Sequence, residues 1–236
     1  MHIKPKLIII SIILFVLFIG TYILMPDNKP INNNVTDAYE FPITPDKTPD
    51  EWKNLKDHGE MISVCQIPEN VLTNISTEGL FETCMNYPLH PDLMAFNSYQ
   101  YAFNSLCSFN GLQELINRSD AGRIILNHYK NIDNNTSDKS PFYDTIYIEM
   151  ILAQESVLSS MELSDRKELL NIALKRSSKN DIGVSKVLVG RILRIDNKKF
   201  QDYLKEHPNI EEYINNVPVV SIPIGDWDNI VNRFAH

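Results

Sequence analysis

The chain has 236 residues, a formal net charge of −8 and 43% hydrophobic residues. That is enough for one domain with a sizeable core. Its acidity works against a nucleic-acid role, because phosphates would be repelled. The three cysteines, Cys65, Cys84 and Cys107, lack zinc-site or CxxC redox spacing. Small buried thiols are expected, with a Cys65–Cys84 bridge as the alternative.

Lys4 and Lys6 precede an unbroken apolar run from Leu7 to Met25. At about 1.5 Å per residue a helix of that length spans roughly 28 Å, close to the hydrocarbon thickness of a bilayer. A cleaved signal peptide is the rival. Its apolar region is usually shorter and ends in small residues, whereas this run ends in Tyr22, Ile23, Leu24 and Met25. An uncleaved anchor is therefore favoured. Positive charge lies before the run, and Asp27, Asp37 and Glu40 come after it. The positive-inside rule then gives a cytoplasmic stub at 1–6, a transmembrane anchor at 7–25 and the bulk of the chain outside. Residues 26–47, rich in Pro and Asn without a helical period, are expected to form a flexible tether.

Residues 48–236 are expected to form the extracytoplasmic domain. Thr48-Pro49-Asp50-Glu51 has the pattern of a capping box, and Trp52, Leu55, Ile62 and Cys65 follow on one face. Pro68 opens a short helix, and Ser76 caps the next, with Leu80, Phe81, Cys84 and Met85 inward until Pro88. Phe96, Tyr99, Phe103 and Leu106 form one helical stripe, which Asn110-Gly111 ends, and Leu112, Leu115 and Ile116 continue on a short helix. Ser119 is expected to cap a segment carrying Ile124, Ile125, His128 and Tyr129. After a polar break from Asn131 to Ser140, further helices carry Ile146, Met150, Ala153 and Val157, then Leu169, Ile172 and Ala173, then Val184, Val187, Leu188 and Ile195. Phe200 and Leu204, and then Ile210, Tyr213 and Ile214, mark two more. Val217 to Ile224 holds two prolines and is expected as an extended strap; Trp227, Ile230, Val231 and Phe234 close the chain on a last helical turn or two. The fold class is all-α: short antiparallel helix pairs in a HEAT-like array or an irregular bundle.

The stretches CQIPENVLTNISTEGLFETCMNYPL, AFNSYQYAF and FNGLQELINRSDAGRIILNHY, together covering about Glu51 to Lys130, resemble a family of exported, all-helical bacterial proteins of unknown function. The resemblance implies export and a helical domain, and it brings no catalytic residues. The Asn-rich break after Lys130 departs from the family's pattern.

Few groupings suggest chemistry. Asp133, Asn135, Ser137 and Asp144 fall at positions 1, 3, 5 and 12 of an EF-hand-like calcium loop. Position 6 is Asp138 rather than Gly, and Asp144 is shorter than the usual Glu. Ser164-Asp165-Arg166-Lys167 matches the S-x-x-K of serine acyl-transfer enzymes, and solvated charges after a helix cap are the simpler reading. Asp57-His58-Gly59-Glu60 is a polar cluster, His90 is expected in a solvated turn, and His128 is expected as a hydrogen-bonded core or edge histidine. Tyr101 lies off the aromatic stripe and is expected to be exposed. No nucleotide loop or hydrolase signature is present, so no cofactor is expected and the balance is against an enzyme. The favoured reading is a membrane-anchored binding or scaffold module with a protein partner in the envelope. A hydrolase whose carboxylates converge in a cleft and an immunity-type protein are the alternatives.

Overall fold

The computed structural model describes residues 37–132, 141–177, 183–219 and 227–235. The expected stub and anchor, and the tether up to residue 36, lie outside the described residues. Within them all regular structure is helical, apart from one isolated bridge between Ser98 and Pro218. The all-α expectation therefore holds. Among the described residues no helix is long and apolar enough to cross a membrane.

Residues 37–47, expected as the distal part of the tether, pack onto the body. Phe41 is buried and meets Tyr87 and Phe109 at ring-centroid distances of 6.0 and 5.8 Å. The Tyr39 amide donates to Thr83 Oγ1 at 2.8 Å. Ser76 donates to the Asp37 carboxylate from its amide at 2.7 Å and from its hydroxyl at 2.5 Å. These bonds hold the Asp37 carboxyl below its ordinary range. Gly79 makes the approach possible, because a Cβ there would lie 3.0 Å from the Asp37 backbone carbon.

The first two helices are α1 (Pro49–Lys53) and α2 (His58–Val64), not one continuous stripe. Thr48 makes no side-chain cap. Its hydroxyl instead accepts from the Thr44 amide at 3.1 Å within the preceding turn. The working cap belongs to α2, where Asp57 accepts from the Glu60 amide at 2.9 Å and Glu60 reaches back to the Lys56 amide at 2.8 Å. After α3 (Glu69–Leu72), Ser76 caps α4 (Thr77–Met85) as expected, accepting from Gly79 at 3.0 Å. A 3₁₀ turn covers His90–Met94. α5 (Tyr99–Leu106) then starts at its Ser98 cap, so Phe96 falls outside the helix and is exposed. α6 (Asn110–Leu115) begins at the Asn-Gly expected to end a helix, and α7 (Ala121–Asn131) follows Asp120 rather than Ser119.

The motif residues behind the family resemblance bond to one another across this half. The Asn110 side chain takes the Ile67 amide at 3.0 Å and gives to the Ile67 carbonyl at 2.8 Å, while Gln66 Oε1 accepts from the Asn110 amide at 2.9 Å. Thr77 donates to Asp120 at 2.8 Å, and Arg118 closes the carbonyls of Ile75 and Leu72 at 2.7 and 3.1 Å. Their roles are architectural: each satisfies a backbone or side-chain group that burial would otherwise leave unpaired.

The second half comprises α8 (Pro141–Leu152), α9 (Glu155–Ser160), α10 (Leu163–Ser177), α11 (Gly183–Asp196), α12 (Lys198–Glu206), α13 (Pro208–Asn216) and α14 (Trp227–Phe234). α11 is the axis. It touches α8, α9, α10, α12, α13 and α14, and its Val184, Val187, Leu188, Val189, Ile192 and Leu193 are all buried. All of these partners lie within three helices of α11 along the chain, while α13 also reaches back to α5. Of the expected strap only residues 217–219 are described, with Tyr99 donating to the Val217 carbonyl at 2.9 Å and Val219 to the Asn97 carbonyl at 3.1 Å; the rest lies outside the described residues.

Candidate functional site

Of the four calcium candidates, Asp133, Asn135 and Ser137 lie outside the described residues, and Asp144 is half-buried in the first turn of α8. Ser164 and Lys167 are both exposed or half-exposed at the start of α10, as solvated residues would be. His90 differs from expectation. It is half-buried, with Nδ1 3.0 Å from the Tyr87 carbonyl and its ring stacked on Tyr147. All three cysteines are free. Burial pushes Cys65 and Cys107 up to about 11 and Cys84 higher still, so none is a thiolate nucleophile near neutral pH. Tyr101 is exposed as expected, while Tyr99 and Phe103 belong to the core.

Two groupings bring polar side chains together. The first joins α4 to α7. Glu78 and Glu82 lie one turn apart on α4, so both carboxylates sit on one face. His128 of α7 meets that face with Nε2 2.5 Å from Glu78 Oε1 and Nδ1 3.9 Å from Glu82 Oε1. The Phe81 ring, centred 4.4 Å from the imidazole, fixes the histidine's position. One ligand atom from each of the three residues lies within 4.8 Å of the others. At the helix starts, the Thr77–Asp120 hydrogen bond ties α4 to the residue that precedes α7. His128 is thus the edge histidine expected, but its partners were not. A Glu-x-x-x-Glu spacing is common on solvated helices, and its imidazole comes from far along the chain.

The second grouping is buried. Glu149 of α8 is fully enclosed, and its Oε1 accepts from Tyr129 of α7 at 2.6 Å and Ser185 of α11 at 2.7 Å. Its Oε2 has no partner. Burial pushes the carboxyl above its ordinary range, against the two hydroxyl donors and the nearby Arg176 charge, which favour ionisation. Arg176 lies 4.5 Å over the Tyr129 ring and donates to the Tyr129 carbonyl at 3.1 Å. The enclosed carboxyl has no route to a substrate, so its chemistry is confined to holding or releasing a proton. The first grouping is half-exposed and offers one nitrogen and two carboxylate groups, a set able to hold a divalent cation. Comparison with protein-family models, with curated proteins and with solved structures gives no match for this chain.

Proposed function

We propose that the chain is a membrane-anchored binding module, held by residues 7–25 with its helical body outside the cytoplasm. Support for the anchor is the apolar run after Lys4 and Lys6 and the acidic character of the chain beyond that run. The resemblance to exported helical proteins points the same way. The observation that carries the binding role is the division of side chains in the body. Its buried polar groups are spent on bonds within the body, at helix ends and between helices, whereas Phe96, Tyr101, Phe142 and Tyr143 are each at least 40% exposed. Phe142 and Tyr143 are in edge-to-face contact at 5.4 Å, so these two form one exposed aromatic pair, and aromatic side chains are favoured anchors of protein contacts. The partner in this proposal is another protein of the envelope.

The test has two arms. A phosphatase reporter that works only outside the cytoplasm, fused after Ala235, should be active in the full chain and inactive when residues 2–25 are deleted. A photo-crosslinking residue placed at Phe96, Tyr101 or Phe142 should give one discrete adduct in intact cells; the same group at exposed Lys199 should not. An inactive full-length fusion rejects the topology. Equal adducts from all four positions, or none, reject the contact surface.

A further inference from the structure

We propose that Glu78, Glu82 and His128 bind one divalent metal ion of the zinc class on the outer face of α4 and α7. The donor set is two carboxylates and one imidazole, which suits zinc and its neighbours. Calcium demands six to eight oxygens, and magnesium keeps most of its water. The ligand atoms already lie within 4.8 Å of one another. Around a tetrahedral ion, ligand atoms at about 2.1 Å from the metal stand roughly 3.3 Å apart. His128 Nε2 and Glu78 Oε1 must therefore separate from 2.5 Å, and Glu82, which stands 3.9 Å from the other ring nitrogen, Nδ1, must bring an oxygen round to the ion. The proposal assigns both changes to rotation of the two glutamate side chains.

Three further features favour the ion. The imidazole is held by Phe81 rather than free to turn away. Both helices are pinned at their starts by the Thr77–Asp120 bond, so the two sides of the site are presented at a fixed spacing. Neither carboxylate pairs with a Lys or Arg among the described residues; their ion pairs run only to His128. Two like charges one turn apart disfavour a helix, and a doubly charged cation reverses that sign. On binding, the ion takes the place of the hydrogen between His128 Nε2 and Glu78, and the neutral imidazole carries its one proton on Nδ1. The side chains remain 46%, 34% and 30% exposed for Glu78, Glu82 and His128, leaving a fourth position open to water.

The test uses the full chain in detergent, stripped with chelator and titrated with zinc chloride alone by calorimetry. One zinc per chain is expected, and calcium chloride at the same concentration should give no heat. Glu78→Gln, Glu82→Gln and His128→Gln should each weaken zinc binding by more than about tenfold, since even removing a partner behind a metal ligand costs that much. Glu82→Gln is the decisive variant. Its contact with His128 is too long for a hydrogen bond, so the metal-free fold loses nothing, and circular dichroism checks this. Cobalt in place of zinc should give visible absorption bands that Glu82→Gln removes. No zinc binding by the parent chain, or unchanged affinity in Glu82→Gln, overturns the proposal.

Discussion

Ser185 and Arg191 lie about 9 Å apart along the axis of α11, and each belongs to a buried charged joint of opposite quality. At the Arg191 joint one guanidinium makes four hydrogen bonds: to the carbonyls of Ile214, Ala153 and Asn215 at 3.0, 3.0 and 3.1 Å, and to Gln100 Oε1 at 2.7 Å. It closes the ends of α8 and α13 and ties both to α5. Burial pulls its pKa down to about 10, so it stays a cation at neutral pH. At the Glu149 joint two hydroxyls serve one carboxylate oxygen, and the other oxygen faces no partner. A buried charge is stable only so far as its hydrogen-bonding capacity is met. The fork of an arginine meets several backbone carbonyls at once, whereas a carboxylate needs donors, which are scarce inside a helical bundle whose amides are already used.

The largest effect is expected from Arg191→Met. It keeps the apolar volume but leaves three helix-end carbonyls and Gln100 without donors. The unfolding free energy should fall by about 3–5 kcal/mol, read as a lower urea midpoint at unchanged slope. Arg191→Lys should recover little of it, because one ammonium cannot reach acceptors spread over three helices. An Arg191→Met chain of near-parental stability would break the comparison outright.

Much of this fold was legible before the structure. The stripes Leu80, Phe81 and Cys84, then Ile146, Met150, Ala153 and Val157, and then Val184, Val187 and Leu188 are all buried, because apolar spacing directly records which face a helix turns inward. Boundaries fared less well. Phe96 and Tyr99 have helical spacing by coincidence, and nothing in the spacing told Ser98 apart as the cap. Thr48 had the capping pattern, but its hydroxyl is engaged in the Thr44 turn. The docking of residues 37–47 was hidden by their Pro- and Asn-rich composition; Tyr39 and Phe41 were the only hints. Neither polar joint could be foreseen. Arg191 and Glu149 sit on apolar faces where a single charged residue reads as a break in the pattern, and their partners come from helices far apart in the chain. The same distance hid the contact of His128 with Glu78.

Two changes sharpen the comparison. Ser185→Ala removes one of the two donors to Glu149 and should cost about 1 kcal/mol, read as a lower urea midpoint. On the other joint, Val217 ends α13 with φ at 47°, a left-handed conformation that a β-branched residue rarely adopts. Val217→Gly relieves roughly 1–2 kcal/mol of that strain but gives up a fully buried side chain worth about 1.5–3 kcal/mol. A net loss of about 1 kcal/mol is expected by differential scanning calorimetry, the difference of those two effects. A gain would mean that strain, rather than the buried side chain, dominates that turn.

The smallest effect at neutral pH belongs to Glu149→Gln, and its pH dependence is the most discriminating. Glu149 is held above its ordinary value of 4.5 by burial. The folded state therefore binds this proton more tightly than the unfolded chain does. By linkage, the contribution of Glu149 to stability is complete below the unfolded value and declines as pH rises through the folded one. Glutamine cannot ionise, and its carbonyl oxygen can still accept from Tyr129 and Ser185; its amide then takes the place of the unpartnered Oε2 and lacks an acceptor in turn. In acid the variant should be slightly less stable than the parent. As pH rises above 4.5 the difference should shrink and then reverse, because the unfolded parent gains by ionising a carboxyl that the folded bundle holds protonated, a gain that glutamine lacks. Urea midpoints of both chains from about pH 4 to about pH 8 measure this. Parallel curves would show that Glu149 keeps the same affinity for its proton folded and unfolded, which would require its second oxygen to be as well served inside the bundle as it is in water.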